Sequence, residues 1–426
     1  MAALRLPGLI SQPASTIAPV PRGGLQRTFA ALQYRNYRLW FFGQMTSLFG
    51  TWMQMTAQGF LIFQLTQSST YLGYVAFASG LASWMFMVFA GVVSDRVPRR
   101  TLLLITQSTM MGLAFILAAL TFSGLIQPWM IVLMAFFLGV ANAFDAPSRL
   151  AFVSELVEKP DLTNAIALNA TMFNAATATG PALAGLTYAF FGPAWCFLIN
   201  GISFIAVIAA LLAMRLPPFQ QPESRSSPLA DLMAGIRYVG SQRLILTIIA
   251  IIGATSIFLM SFISLMPAWA VRVLGGDATT NGLLQSARGL GALIGAIGLA
   301  SLGRFQFKGQ LFTLGTFAFP VMILLFTFMR WTPFSLLALL LVGLAQILVM
   351  NLANALVQTL AADHMRGRVM GIYSFLFFGM IPIGSLLAGA AADRIGEPLT
   401  VAIGAGMSLL VALAVAFTVP KLRRLP

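Results

Sequence analysis

Twelve stretches of about 20 or more mostly apolar residues, parted by short turns, leave this chain few ways to fold. One turn shows the pattern sharply: Gly91-Val92-Val93-Ser94-Asp95-Arg96-Val97-Pro98-Arg99-Arg100 sets four charged residues between two long apolar runs. Of the 426 residues, 59% are hydrophobic and 8% charged, and the mean hydropathy is +0.89. Soluble domains carry about 25% charged residues, so the solvent for this surface must be a lipid bilayer. Inside hydrocarbon every backbone N–H and C=O needs an internal partner, which admits only helices and closed barrels. The runs lack strict alternation, so they are read as helices.

Twelve spans are expected, at about 39–64, 70–94, 101–122, 128–152, 163–190 and 194–214, then 244–270, 279–302, 309–329, 333–361, 368–391 and 398–419. The polar stretch from Arg215 to Arg243, with Pro217, Pro218, Pro222 and Pro228, reads as a cytoplasmic linker. The expected organisation is therefore an arm (1–33), a first six-helix bundle (34–214), the linker (215–243) and a second bundle with a short tail (244–426). The arm carries Arg5, Arg22 and Arg27, several prolines and no acid. It has no compact apolar core before a small-residue cleavage site, so it is expected to be a flexible cytoplasmic segment and not a signal peptide.

The net charge of +14 does not point to nucleic acid, because the basic residues lie between spans and not on one face of a domain. With the N-terminus inside, 21 of 25 Lys and Arg fall on the cytoplasmic side, against Arg272, Arg330 and Arg394 outside and Arg288 within a span. That asymmetry places both termini in the cytoplasm. One cysteine, Cys196, and one histidine, His364, allow no disulfide and no metal cluster. No phosphate-cradling G-x-x-x-x-G-K-[ST] loop is present, so no cofactor or nucleotide chemistry is expected. An enzyme would need a His/Asp or Ser/His cluster within the spans, and a sensor an appended soluble domain; neither is found.

The two halves repeat. Gly180-Pro181-Ala182-Leu183-Ala184-Gly185 matches Gly384-Ser385-Leu386-Leu387-Ala388-Gly389 at an offset of 204. The same offset pairs Gly139 with Gly343, Asn142 with Gln346 and Gly192 with Gly396. An offset of 209 pairs Gly73 with Gly282 and Gly80 with Gly289. Six duplicated spans are the parallel repeat of a secondary transporter.

Twelve spans in two halves, with Gly91-x-x-x-Asp95-Arg96-x-x-Arg99-Arg100 after the second span, resemble the major facilitator superfamily. Asn36-Tyr37-Arg38-Leu39-Trp40, Gly50-Thr51-Trp52-Met53-Gln54, Phe144-Asp145-Ala146-Pro147-Ser148-Arg149, Asn164-Ala165-Ile166-Ala167-Leu168-Asn169 and Arg366-Gly367-Arg368-Val369-Met370 are similar to its subgroup of enterobactin and macrolide exporters. The resemblance implies a small-molecule substrate, export from a bacterial cytoplasmic (inner) membrane by alternating access, a proton as coupling ion and a monomer. An uptake symporter or a lipid-related flippase on the same scaffold is the alternative. The resemblance also implies that Asp95 latches against the start of span 11, with Gly91, Arg96, Arg99 and Arg100 around it. Gly180, Pro181 and Gly185 resemble a loosened antiporter motif, a hinge or packing seam. Relatives often carry an arginine near Thr177, which is neutral here.

Other candidates come from the residues themselves. Asp145 and Arg149 share a helix face; they are an anchoring ion pair, part of a cytoplasmic charge network with Asp95 and Arg96, or, through Asp145, the proton site. Arg288 falls near mid-bilayer, where a charge costs roughly 2.5–3.5 kcal/mol on insertion scales. It is a structural arginine or a contact for an anionic or electron-rich substrate. Gln44, Ser47, Thr51, Gln54 and Gln58 in span 1, and Gln346, Asn351, Asn354 and Gln358 in span 10, recur at helical spacing. Asn142 and Gln285 join them as candidates to line a wet cavity or to bond helix to helix.

Overall fold

The computed structural model describes residues 29–216, 228–303 and 306–425. Arg5, Arg22, Arg27, Pro217, Pro218, Pro222, Arg225, Arg304 and the side chain of Asp95 lie outside the described residues. The first six long helices are α1 (Arg35–Thr66), α2 (Ser69–Arg96), α3 (Arg99–Phe122), α4 (Pro128–Val153), α5 (Leu162–Phe191) and α6 (Pro193–Ala213). A shorter helix, α7 (Pro228–Ser241), precedes α8 (Arg243–Phe258), whose span is completed by successive turns through Val273. Then come α9 (Ala278–Ser301), α10 (Lys308–Thr327), α11 (Thr332–Leu360), α12 (Arg366–Ile395) and α13 (Glu397–Thr418). Among the described residues there is no strand.

Nine of these segments are long and apolar enough to cross a membrane by length and composition. The other three, α1, α2 and α5, have 32, 28 and 30 residues. At ~1.5 Å per residue each exceeds a hydrocarbon core of about 30 Å, and Gln, Ser, Thr and Asn residues dilute the apolar content of α1 and α5. Prolines in the first turns of α4, α6, α11 and α13 fix the starting φ where no donor is lost. Gly192 and Gly396, at φ +89° and +83°, make the same tight turn into the last helix of each half. The stretch read as a linker holds α7, whose Leu232, Met233, Ile236 and Val239 follow helical spacing. Its Gly235 rests on Arg368 and Ile372 of α12.

The repeat reappears as repeated contacts. Gly139 of α4 is pressed on the Ser79 carbonyl of α2, and its partner Gly343 of α11 on the Arg288 carbonyl of α9. Gly180 meets Trp52 of α1, and Gly384 meets Ile257 of α8. Helices α1–α6 and α8–α13 thus pack by the same rule, with apolar cores around Trp40, Phe152 and Phe204 in one half and Trp269, Phe312 and Phe326 in the other. The halves meet along α2 against α12 and α5 against α9.

A methyl at Gly139 would strike a backbone carbonyl, which cannot retreat as a side chain can. Gly139→Val should cost about 1–3 kcal/mol, read as a lowered melting temperature in detergent. Gly112→Ala, with nothing within 4 Å of an added methyl, should melt at or above the parent temperature.

Candidate functional site

The site is built on the seam between the halves; its outer end is the one away from the basic turns. At the outer end Gly389 lies against the Ser69 carbonyl, and Gly73 against Ser385 and Leu386. Deeper, Gly80 abuts Pro382, and Gly379 seats the Trp84 indole, which stacks on Phe375 at 5.1 Å and 5°. Along the other seam Gly185 meets Ala278 and Thr279, Gly282 meets the Pro181 carbonyl, and Gly289 meets the Thr177 carbonyl. Pro181 has no N–H for the carbonyl four residues back, so the Thr177 carbonyl is free of its usual helical donor where α9 approaches. The Ser286 hydroxyl accepts the Ala182 N–H across the seam at 2.9 Å. Helices can come this close only where side chains are absent.

Further in, the close contacts stop. A methyl at Gly91, Gly298, Gly367 or Gly371 would meet nothing within 4 Å. The sequence expectation that Gly91 admits a close backbone is therefore not met in this conformation. Met85 and Phe89 on α2, Leu290, Ile294 and Ile297 on α9, and Phe378 on α12 are exposed. The halves are joined over the outer part of the seam and apart over the inner part.

Arg288 stands where α9 meets both α11 and α5. It is 6% exposed. Its Nη1 donates to Gln346 Oε1 at 3.1 Å, and its buried Nε has no partner. Gly289, the next residue, touches α5 at Thr177. Among the described residues no carboxylate pairs with this guanidinium. Neighbouring Gln285 donates to Asn281 Oδ1 at 3.1 Å, and the Asn281 amide nitrogen is buried without a partner. A buried cation with free donor capacity can receive an anion.

The span 1 stripe points elsewhere. Gln54 accepts from the Asn200 amide of α6 at 2.7 Å, and Gln58 donates to the Ile131 carbonyl of α4 at 3.4 Å. Gly50 and Gly43 bring α6 against the same face. Gln44 is 2% exposed, with its Oε1 unpartnered, and the Thr51 hydroxyl donates to the Ser47 carbonyl one turn back. The stripe faces the interior of its own half. On α11, Asn351 is exposed, and half-buried Asn354 accepts from Gln358 at 2.5 Å. Asn142 is half-buried on α4.

At the inner end Arg99 and Arg100 of the charged motif bond within their own half. Arg99 pairs with Glu155 after α4, and Arg100 donates to the Leu212 carbonyl of α6 at 2.9 Å. Arg96 is exposed. Asp145, 2% exposed, accepts from Thr106 at 2.9 Å and Gln107 at 2.8 Å on α3, with Arg149 Nε at 3.5 Å. Ser148 donates to Ser94, beside Asp95, at 3.1 Å. Gly180, Pro181 and Gly185 are buried in the helix seams.

Two groupings escaped sequence reasoning. The Ala31 N–H donates to Asn164 Oδ1 at 2.9 Å, Gln33 and Tyr34 donate to Asp161, and the Tyr37 hydroxyl donates to the Ala165 carbonyl at 2.9 Å. Burial and Asp161 raise the Tyr34 phenol above its usual range, keeping it a donor. Tyr37 and the Asn164-Ala165 stretch thus hold the start of α1 to the start of α5, while Asn36 donates to the Arg215 carbonyl beyond α6 at 2.7 Å. At the outer end Arg272, Asp393 and Glu397 gather around the start of α2. With the start of α2 they come from three separated places in the chain, and Asp393 and Glu397, four residues apart, lie on two helices parted by the turn at Gly396.

Gln54→Leu would strand the Asn200 amide inside the first half. Interhelical hydrogen bonds in membranes average about 0.6 kcal/mol and reach about 1.7. The variant should lose thermal stability in that range and keep its substrate selectivity; a selectivity change would place Gln54 in the cavity.

A family model described as transmembrane secretion effector matches residues 26–425. The staphyloferrin A transporter of Staphylococcus aureus (strain NCTC 8325 / PS 47) is 27% identical over 84% of this chain and 90% of its own. The multidrug efflux pump Tap of Mycolicibacterium fortuitum is 25% identical over 90% of this chain and 95% of its own. In structure the chain is similar to the nucleoside transporter NupG, with a TM-score of 0.69, 15% identity, and 92% and 99% of the two chains covered; this likeness shows the fold. The matched segment takes in every long helix described above, the paired halves and the seam glycines, and the chain belongs to the transmembrane secretion effector family of the major facilitator superfamily.

Proposed function

We propose that this protein exports small amphipathic compounds bearing an anionic group, siderophore-like metabolites or drugs, across a bacterial cytoplasmic membrane by alternating access coupled to proton entry. It acts as a monomer with both termini in the cytoplasm. The observation that carries the substrate class is Arg288. This guanidinium lies near mid-bilayer depth, shielded from water, bonded to a neutral glutamine and with its Nε unused. A charge so placed is costly unless an opposite charge joins it. A carboxylate or catecholate oxygen of the cargo would supply that charge, with Gln346 and Gln285 orienting it. Asn351, Asn354 and Asn142 line the approach in this reading. The relatives are named for a siderophore and for drugs, which fits export of amphipathic cargo.

The coupling proton is assigned to Asp145. Among the described residues it is the buried carboxylate within a first-half span, and its protonation would release Arg149 while Thr106 and Gln107 held the side chain in place. Asp95, Gly91, Arg96, Arg99 and Arg100 form the inner gate element, and Gly180, Pro181 and Gly185 the flexing seam of α5.

The test is accumulation in everted vesicles of a panel of hydroxycarboxylate and catecholate chelators, with a neutral macrolide alongside. Energised vesicles should accumulate the anionic compounds, and a protonophore should abolish this. Losing a hydrogen bond to a charged group costs about 1.5–3 kcal/mol, so Arg288→Gln, at parent expression, should lower anion accumulation about tenfold or more and spare the macrolide. No energised accumulation of any compound would overturn the export reading. Unchanged anion transport in Arg288→Gln would overturn the role of Arg288.

A further inference from the structure

Helices α2 and α12 run antiparallel along the seam, so at the outer end the C-terminus of α12 lies beside the N-terminus of α2. At the inner end α2 closes with Gly91-x-x-x-Asp95-Arg96. At the outer end α12 closes with the same spacing, Gly389-Ala390-Ala391-Ala392-Asp393-Arg394. Asp393 reaches across the seam to the first turn of α2. It accepts from the Ser68 hydroxyl at 2.5 Å, the Ser69 N–H at 2.7 Å and the Thr70 N–H at 2.9 Å. Glu397, 3% exposed, accepts from the Ser69 hydroxyl at 2.8 Å. Arg272, at the outer end of the α8 span, donates to Glu397 at 2.8 Å, to Asp393 at 3.5 Å and to the Gln67 carbonyl. Its guanidinium lies 5.1 Å from the centre of the Phe63 ring.

The internal repeat shows what is unusual here. Residue 68 corresponds to residue 277 at the offset of 209. At the other seam Asp277 caps its own helix, α9, accepting the Thr280 N–H at 3.0 Å. Ser68 makes no such bond to α2; the cap comes from Asp393 in the other half. A cap within one helix stabilises that helix. A cap supplied across the seam joins the two halves, and it must break if they part at the outer end. Two carboxylates face a single guanidinium, so the positive end of α2 completes the charge balance. Once parted, both carboxylates would be hydrated by external water, which makes the contact reversible.

We propose that Asp393, with Glu397 and Arg272, is an outer latch that holds the inward-open state and opens when the site turns outward. It is the counterpart, at the opposite end of the same helix pair, of the gate element around Asp95. The inference rests on the alternating-access reading above, but its test needs no substrate.

In a Cys196→Ser background, Ala278→Cys reports the outer seam, since Ala278 is 5% exposed beneath Gly185. A membrane-impermeant maleimide is applied to intact cells. Loss of a helix cap costs about 1 kcal/mol and of a charged hydrogen bond more, so Asp393→Asn should speed labelling about five- to tenfold. The discriminating variant adds Ser68→Asp to Asp393→Asn, giving α2 its own cap as α9 has. Thermal stability should then return to the parent value while labelling stays fast. Labelling at the parent rate in Asp393→Asn would overturn the latch. So would return of protection together with stability in the double variant, because Asp393 would then be a helix cap only. If Asp393→Asn alone fails to fold, the double variant decides the matter. A latch refuted in this way leaves vesicle export standing, and absent export leaves the labelling result intact.

Discussion

Contact between bare backbones across glycine positions is the interaction on which the rest of this structure depends. In a bilayer lipid tails are as apolar as leucine, so helices gain little by excluding lipid and must gain by close approach. Here backbone carbonyls are seated on glycines: Ser79 on Gly139, Arg288 on Gly343, Ser69 on Gly389, Thr177 on Gly289. The first two lie inside the halves and the second two between them. The same device thus assembles each half and joins the pair. Within a half it recurs with flanking apolar packing that keeps it permanent. Between halves it ends where Trp84 meets Phe375, and the helices diverge beyond.

Polar groups at depth divide by whether their partners are supplied within one half. Gln54 and Asn200, and Asp145 with Thr106, Gln107 and Arg149, close their own circuits. Arg288 does not; Gln346 satisfies one nitrogen and leaves charge and donors over. An unpaired group in a medium of low polarity is the more costly arrangement, which is why this residue, and not the denser motif at the inner rim, carries the functional proposal. The outer cluster differs again. Its carboxylates are satisfied, but by donors from the other half.

Much of the fold was legible. Span positions followed from apolar runs, and the repeat from glycine offsets that return as equivalent contacts, Gly185 on Ala278 and Gly389 on Ser69. Membership of the family was readable from Gly91–Arg100 and from stretches such as Asn36-Tyr37 and Asn164-Ala165. The work of Tyr37 and Asn164, tying the start of α1 to α5, was not readable, since the partners are more than 120 positions apart. The span 1 stripe shows the limit most clearly. Spacing places Gln44, Thr51, Gln54 and Gln58 on one helix face, and says nothing of whether that face meets α6 or an open cavity.

Sequence by itself determined an all-α membrane protein with duplicated halves, because hydropathy and backbone hydrogen bonding in lipid are local constraints that each segment must meet alone. Tertiary structure decided which end of the seam is joined, that Gly91 has no neighbour there, and that Asp393 caps a helix in the opposite half. Those facts depend on the relative placement of two rigid halves. Two placements can satisfy the same local rules equally well, and contacts between residues as far apart as Ser69 and Asp393 select between them.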